Sequence, residues 1–247
     1  MPHDVEHEKR ALRAELRERR QLLSDAQREI AASAITQRLD ELVASLGARS
    51  ISCFLSTTTE PGTREFVTGA VRRGIRVLLP VTRADGLLDW AVATDDDDVA
   101  EGLFGLPEPT GEVLGPIAVN DVDLMIIPAA AVDRTGMRMG WGRGYFDKTI
   151  GSMEKCPPVY AVIYDSEVLD FLPREVHDQP VSGVVTPTPS TCRRRDADPR
   201  GSPCPPMPTP AVRAATPSTP CRASRTTLSP SAPSAAASCA SSTDRSV

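Results

Sequence analysis

Residues 124–147, LMIIPAAAVDRTGMRMGWGRGYFD, join an apolar run to a segment in which glycine alternates with large or charged residues. The run Leu124–Pro128 has the length and apolar character of a buried strand. The glycines at 136, 140, 142 and 144 predict a loop, and Tyr145 and Phe146 begin a predicted helix. This order of strand, loop and helix favours an α/β protein, in which ligands bind at the carboxyl ends of the strands.

The rest of residues 1–188 alternates in the same way. We predict helices over residues 5–22, from a capping box at Ser24 to about Leu46 with Gly47 closing it, and from a cap at Thr63 to Gly74. Further strands are predicted at residues 51–55, 77–81, 88–92, 159–164 and 184–186, and a Gly- and Pro-rich loop at 102–115. The alternation predicts a mainly parallel sheet, with ligands near the loops after Leu55, Pro128 and Tyr164.

Composition excludes several classes of function. The net charge of −5 gives no reason to expect a nucleic-acid partner. No apolar run approaches the roughly 20 residues that span a bilayer, and the N-terminus MPHDVEHEKR has no apolar signal core, so we expect a cytoplasmic protein without a membrane partner. The six cysteines lack C-x-x-C spacing, which argues against a zinc site or a disulfide framework. Residues 95–98, four aspartates, are interpreted as a solvated loop or helix start.

Composition changes abruptly near Thr188. Residues 189–247 contain no Ile, Phe, Trp, Tyr, Lys or Glu, but they hold eleven of the 23 prolines and eight arginines. Such a Pro/Ser/Ala/Arg-rich segment buries too little apolar surface to offset its ordering entropy, so we predict a disordered tail. Either a natural extension or an out-of-frame reading of a GC-rich gene would give this composition.

The glycine segment carries the strongest chemical signal. Glycines let backbone amides approach an anion, the guanidinium groups of Arg138 and Arg143 add positive charge, and Asp147 can reach a divalent cation bound to phosphates. The segment lacks the G-K-[ST] ending of a Walker A motif and the spacing of G-x-G-x-x-G. The alternative from the pattern alone is a Gly-rich turn with an aromatic anchor.

Residues 136–147 resemble the G-x-R-L-G-x-G-x-G-Y-Y-D signature of the 5-formyltetrahydrofolate cyclo-ligases, with Met139 for Leu and Phe146 for the second Tyr. Four further blocks occur in the family's order. They are Lys9–Arg13 (K-R-x-x-R), Glu60–Thr63 (E-x-x-T), Phe104–Pro109 (F-G-I-x-E-P) and Leu172–Asp178 (L-P-x-E-x-H-D). Five blocks in the correct order make a chance match unlikely. Ser182 departs from the family, since many members have Asp there, and the tail replaces the family's short C-terminus.

The resemblance implies a three-layer α-β-α domain over residues 1–188, Rossmann-like and similar to the sugar-phosphate isomerase and CoA-transferase type. It also implies an ATP- and Mg²⁺-dependent enzyme whose ATP site is formed by Lys9, Arg10, Arg13, Arg138, Met139, Gly140, Trp141, Gly142, Arg143, Gly144, Tyr145 and Phe146. Glu60, Trp141 and Tyr145 are implied to bind folate, Asp147 and Asp178 to hold the metal, and Arg143, Tyr145 and Asp147 to act in catalysis.

Three of these assignments have simpler alternatives. Asp178 alone could be a helix cap or a salt-bridge partner, and Glu60 could be a turn carboxylate before Pro61. Lys9, Arg13, Arg17 and Arg20 repeat at helical spacing, and a solvated helix face with salt bridges to Glu6 or Glu15 would give the same stripe. His177 is next to Asp178 but is interpreted as structural.

The reaction that the resemblance implies is the conversion of ATP and 5-formyltetrahydrofolate to 5,10-methenyltetrahydrofolate, ADP and phosphate. The folate substrate could carry a polyglutamate tail, and a monomer or weak dimer is expected. Two other functions stay open. One is a sugar-phosphate isomerase or CoA-transferase relative that uses no ATP, and the other is a non-catalytic nucleotide- or folate-binding relative.

Overall fold

A computed structural model describes residues 2–94, 99–102, 107–109, 111–153, 155–175 and 178–189. Residues 95–98, His177 and the predicted tail from Ser190 onward lie outside the described residues. The described helices are α1 (Pro2–Gln21), α2 (Asp25–Leu46), α3 (Arg64–Arg72) and α4 (Tyr145–Ser152). The described strands are β1 (Ser50–Ser52), β2 (Arg76–Thr82), β3 (Leu88–Val92), β4 (Val99–Glu101), β5 (Pro107–Pro109), β6 (Val113–Leu114), β7 (Leu124–Pro128), β8 (Ala131–Asp133), β9 (Arg138–Met139), β10 (Val159–Val162), β11 (Val168–Leu169) and β12 (Gly183–Val185).

The main sheet has seven strands in the order β12-β10-β7-β1-β2-β3-β6. The five strands from β12 to β2 are parallel to one another, whereas β3 and β6 each pair antiparallel with their neighbours. The predicted α/β class with a mainly parallel sheet is therefore confirmed. From β1 the chain proceeds to β2 on one side and later to β7 on the other, and such a reversal opens a crevice at the carboxyl ends of the strands.

Alternating side chains of the sheet bury two separate faces. Ile51, Leu79 and Ile126 pack in one core cluster with buried residues of α2 and α3. Leu78, Met125 and Ile127, one position away in their strands, point to the opposite face and pack with Ile150 and Met153 at α4. This period of two explains why the central strands read as continuous apolar runs, since both faces of a parallel sheet are covered.

The sequence signals at the ends of α2 are confirmed. Ser24 and Gln27 form the reciprocal capping box, and Gly47 closes the helix in the left-handed region with a φ of 61°. The expected cap at Thr63 is wrong in its contacts, because no side-chain cap bond forms at α3. The Thr63 hydroxyl instead donates to the Phe54 carbonyl oxygen at 2.6 Å and accepts from the Ser56 amide, which fixes the loop after β1.

The bounds of the predicted strands agree with the structure to different degrees. β3 and β7 have the predicted bounds, whereas β1 covers only the first part of the predicted strand at 51–55. The prediction of a loop over residues 102–115 is wrong in part, because β5 and β6 lie within it. Both are very short, and β5 pairs only with β4, so apolar periodicity does not reveal them.

The last strand is anchored despite the departure at Ser182. The Ser182 hydroxyl accepts a hydrogen bond from the Val159 amide at 3.1 Å, and the Ser182 amide donates to the Val159 carbonyl oxygen at 2.7 Å. Serine thus supplies an acceptor at the start of β12. Among the described residues, no helix has the length and apolar character required to cross a membrane.

Candidate active site

A cavity of about 380 Å³ lies at the carboxyl ends of β1, β2 and β7, at the crevice that the strand order predicts. The loop after β1 contributes Glu60, and the end of β7 contributes Pro128. One wall is formed by residues of the glycine segment between Arg138 and Asp147. Of the three strand ends that the sequence indicated, those at Leu55 and Pro128 meet the glycine segment at one site, whereas Tyr164 is not among the described residues that line the cavity.

The glycine loop adopts a backbone that other residues rarely take. Gly142 has a φ of 97°, and Gly144, which precedes the first turn of α4, has a φ of 70°. A side chain at either position would strain the backbone. The loop therefore depends on glycine for its conformation.

Arg13 of α1 binds this loop through a hydrogen bond to its backbone. Its Nε donates to the Gly140 carbonyl oxygen at 2.9 Å, and its Nη1 pairs with Glu6 at 3.1 Å. A Cβ atom added at Gly142 would lie 3.5 Å from the Arg13 guanidinium carbon, so the two are in close contact. Arg13 thus binds the loop. Its pair with Glu6 is also one of the two salt bridges expected for a solvated helix face.

Trp141 is sandwiched against two arginines of the same helix. The guanidinium carbons of Arg17 and Arg20 lie 5.2 Å and 4.7 Å from its ring centroid. Arg20 is itself buried, and it donates to both carboxylate oxygens of Glu167 at 2.6 Å and 2.8 Å and to the Ala129 carbonyl oxygen. Because hydrogen bonds to Glu167 and Ala129 hold Arg20 in place, its guanidinium group supports the Trp141 ring in the cavity wall.

Arg138 and Asp147 form an ion pair in the cavity wall, with Nη2 and Oδ1 separated by 2.5 Å. The Arg138 side chain is only 2% exposed, and its Nε has no hydrogen-bond partner among the described residues. A Cβ atom at Gly140 would lie 3.0 Å from Arg138 Nη1. Glycine at 140 thus makes room for a buried cation that faces the cavity.

Two glutamates in the wall are held in the same manner. Glu60 Oε2 accepts from the amide and hydroxyl of Thr57 at 2.9 Å and 3.0 Å. Glu108 Oε1 accepts from the amide and hydroxyl of Thr82 at 2.8 Å and 2.5 Å. In each case one oxygen is occupied by a threonine, so the other can accept from a ligand.

The comparison with known families agrees with the motifs. A profile of the 5-formyltetrahydrofolate cyclo-ligase family matches residues 5–187. The chain belongs to this cyclo-ligase family. It is 34% identical over 184 residues to the 5-formyltetrahydrofolate cyclo-ligase of Mycolicibacterium smegmatis, covering 72% of this chain and 93% of that protein. It is 29% identical over 178 residues to the 5-formyltetrahydrofolate cyclo-ligase of Escherichia coli, covering 70% and 97%.

A solved structure shares the fold of this cyclo-ligase chain. The 5,10-methenyltetrahydrofolate synthetase of Aquifex aeolicus superposes with a TM-score of 0.64 at 25% sequence identity. The superposition covers 76% of this chain and 93% of that protein.

The cavity wall contains most of the loop residues that the cyclo-ligase resemblance indicated. They are Arg138, Gly140, Trp141, Arg143, Gly144, Tyr145, Phe146 and Asp147. Met139 is buried behind them and packs with Leu16 of α1. Tyr145 is oriented by its hydroxyl, which donates to the Arg83 carbonyl oxygen at 3.1 Å.

The N-terminal cations of the cyclo-ligase motif are placed differently. Lys9 is buried, and its Nζ lies 2.6 Å from Glu175 Oε2 and 2.7 Å from Asp178 Oδ2. Burial lowers the pKa of Lys9, but the two carboxylates outweigh it, so the pKa is raised above 10.5. Neither Lys9 nor the exposed Arg10 is among the described residues that line the cavity.

The two predicted metal ligands each form an ion pair, Asp147 with Arg138 and Asp178 with Lys9. Asp147 lines the cavity, whereas Asp178 pairs with Lys9 and also accepts from the Glu175 amide at 2.7 Å. Within the described ranges no group of three or more His, Cys, Asp or Glu side chains could hold a metal. Mg²⁺ usually takes only one or two carboxylates and completes its shell with phosphate oxygens and water, so Asp147 fits this chemistry with a nucleotide present.

Proposed function

We propose that this protein uses ATP to convert 5-formyltetrahydrofolate into 5,10-methenyltetrahydrofolate, with release of ADP and phosphate. The observation that carries the proposal is that the family's glycine loop forms one wall of a cavity at the strand ends. That wall combines backbone amides with Arg138 and Arg143, which suit phosphates, whereas Phe54, Leu55 and Leu88 offer apolar surface for a pterin ring.

The chemistry explains why ATP is required. The formyl group on N5 is an amide, so it is a poor electrophile for the N10 amine. Transfer of the γ-phosphoryl group to the formyl oxygen makes a better leaving group. N10 then attacks the formyl carbon and loses its proton, and the carbon–oxygen bond breaks to release phosphate. No protein nucleophile is needed, so the protein has to align the two substrates and stabilise phosphate charge.

The residues of the cavity can be given roles in this scheme. Amides of residues 140–146 with Arg138 and Arg143 bind the triphosphate, and Arg13 holds their loop. Glu60, Trp141 and Tyr145 contact the folate. Asp147 binds Mg²⁺, which, once bound, neutralises phosphate charge. Lys9 and Arg10 contact the nucleotide phosphates and Asp178 its metal, and the Lys9–Asp178 ion pair holds these two groups side by side.

Two finer features of the fold belong to the same proposal. The parallel order β2-β1-β7-β10-β12 with helices on both faces supports a Rossmann-like three-layer domain. We place its end at about residue 188, and the tail from residue 189 then contributes nothing to the site.

One assay tests the proposal against its alternatives. The protein is mixed with MgATP and 5-formyltetrahydrofolate, and methenyl absorbance and ADP are followed together. Equal rates of both signals are expected. Binding without turnover would point to a non-catalytic relative, and absence of both binding and turnover would favour an isomerase- or transferase-like activity.

A further inference from the structure

The cavity holds a carboxylate to which the motifs assign no role. Glu108 lies in β5, outside the glycine loop, yet it lines the cavity and is only 9% exposed. Its Oε1 is bound twice by Thr82 at the end of β2, whereas no hydrogen bond to Oε2 is recorded among the described residues. A carboxylate that is nine-tenths removed from solvent is stabilised when a donor reaches its remaining oxygen.

The chain also makes room for this group. A Cβ atom added at Gly102 would lie 2.1–2.5 Å from the end of the Glu108 side chain, so a larger residue at 102 would displace the carboxylate from this position. The carboxylate is thus packed against backbone on one side, held by Thr82 on another, and open to the cavity. If Glu108 served only to tie β5 to β2, a neutral acceptor for Thr82 would suffice.

The chemistry of the two substrates decides which of them Glu108 contacts. Phosphates repel a carboxylate. Adenine offers an amino group between two ring-nitrogen acceptors, and these acceptors also repel a carboxylate. The pyrimidine edge of a tetrahydropterin instead presents two adjacent donors, the ring N3–H and the 2-amino group, and such a pair matches a carboxylate.

We infer that Glu108 accepts hydrogen bonds from the N3–H and 2-amino edge of the folate's pterin ring and so selects and positions this substrate. The inference rests on the proposed function, because it assigns a subsite within the same cavity. It leaves Glu60 free to contact another part of the folate.

The test combines one substitution in the protein with one change in the ligand, and it compares the four resulting affinities as in a double-mutant cycle. Glu108→Gln keeps an oxygen for Thr82 but presents an amide where the pterin needs an acceptor. The second ligand is the analogue of 5-formyltetrahydrofolate in which a methyl group replaces the 2-amino group. Dissociation constants of both ligands and of ATP are measured for each protein, together with the thermal midpoint.

The wild type is expected to bind the analogue at least about tenfold more weakly than the natural ligand, since a buried acceptor loses its donor. Glu108→Gln should bind the natural ligand about tenfold more weakly and discriminate between the two by less than about threefold. Its affinity for ATP and its thermal midpoint should stay close to wild type. Glu112→Gln, which makes the same charge change at an exposed site, should match wild type throughout.

Several results would overturn the inference. Discrimination by Glu108→Gln equal to that of wild type would exclude the contact, and loss of discrimination in Glu60→Gln instead would assign the pterin edge to Glu60. If Glu108→Gln lost ATP affinity and thermal stability as well as folate affinity, Glu108 would have only the structural role of tying β5 to β2. If Glu108→Gln does not fold, Glu108→Asp, which withdraws the carboxylate from the cavity, gives the same test. If wild type itself binds no folate, the proposed function fails first.

Discussion

Arg138 and Asp147 form an ion pair in the cavity wall, and Lys9 pairs with Glu175 and Asp178. Cations predicted for phosphates and carboxylates predicted for metal are thus paired with one another. Sequence spacing identified the groups but not their pairing, because Lys9 and Asp178 are 169 residues apart and meet only in the folded chain.

The role of Asp147 can be tested with two substitutions. Asp147→Ala should lower turnover and raise the magnesium concentration for half-maximal rate by about tenfold or more, because one oxygen ligand is lost. It should also destabilise the fold, since Arg138 is left buried without its partner. Steady-state rates over a magnesium titration and thermal melts measure the two effects.

Asp147→Asn is the matched control for this pair. Its amide oxygen can still accept from Arg138, so stability should recover in part while the magnesium requirement stays high. A magnesium dependence unchanged in both variants would contradict the metal assignment.

Glu60 and Glu108 show how far residue patterns reach. The family block that begins at Glu60 follows the first strand, so a place near the strand ends could be predicted. Glu108 belongs to the Phe104–Pro109 block, but its place in the cavity wall could not be predicted, because its contact with Thr82 forms across 26 residues and β5 is too short to predict.

At the level of elements, α1 is the support of the glycine loop. The sequence indicated a basic stripe on this helix but could not distinguish a solvated face from a buried one. Arg20 proves to be buried against Glu167 and Trp141, whereas Arg19, one residue away, is half exposed and pairs with Glu15. Helical spacing defines a face, but only packing decides what covers it.

The Arg20–Glu167 pair predicts a marked asymmetry between single and double substitutions. Arg20→Met should lower the free energy of unfolding by about 3–5 kcal/mol, because Glu167 is left buried without its cation. The double variant with Arg20→Met and Glu167→Gln should regain most of the lost free energy of unfolding, since glutamine can still accept from the Tyr164 amide. Denaturant unfolding measures both, and Trp141 fluorescence should change in both variants because its ring support is gone.

Arg19→Met is the control for Arg20, because it removes an exposed arginine from the same turn. Its cost should be at most about 0.5 kcal/mol, as for other exposed helix pairs. A double variant no more stable than Arg20→Met alone would show that lost packing, rather than an unpaired charge, causes the destabilisation.

The backbone conformation of the glycine loop can be tested by substitution at Gly142. Gly142→Ala forces alanine to a φ of 97° and should cost about 1–3 kcal/mol of local strain, which the loop relieves by leaving its ATP-binding shape. The KM for ATP should therefore rise more than the thermal midpoint falls. Gly151→Ala within α4 meets nothing within 4 Å and should be neutral or stabilising by up to about 1 kcal/mol. Equal effects of the two substitutions on KM would refute the role of the loop backbone.

For the whole molecule, alternation of strands and helices was enough to predict the class, and the residue pattern was enough to place β3 and β7. The strand order was not predictable, because it depends on which strands pair after distant crossovers. The order nevertheless determines the site, since it brings the loops after β1 and β7 together. The small β8–β9–β11 sheet, which carries the start of the glycine loop, was also missed because its strands have only two or three residues.

Truncation of the chain tests the predicted domain boundary at about Thr188. Thr188 is tied to the domain, because its amide donates to Asp165 Oδ1 at 3.2 Å, and its carbonyl oxygen accepts from the Thr186 hydroxyl at 2.7 Å. Every described residue of the site precedes it. A chain ending at Pro189 should therefore keep the kcat and thermal midpoint of the full chain and be at least as soluble, whereas one ending at Ser182 loses β12 and should not fold. A truncation at Pro189 that abolished turnover while preserving the thermal midpoint would mean that residues beyond 189 take part in catalysis.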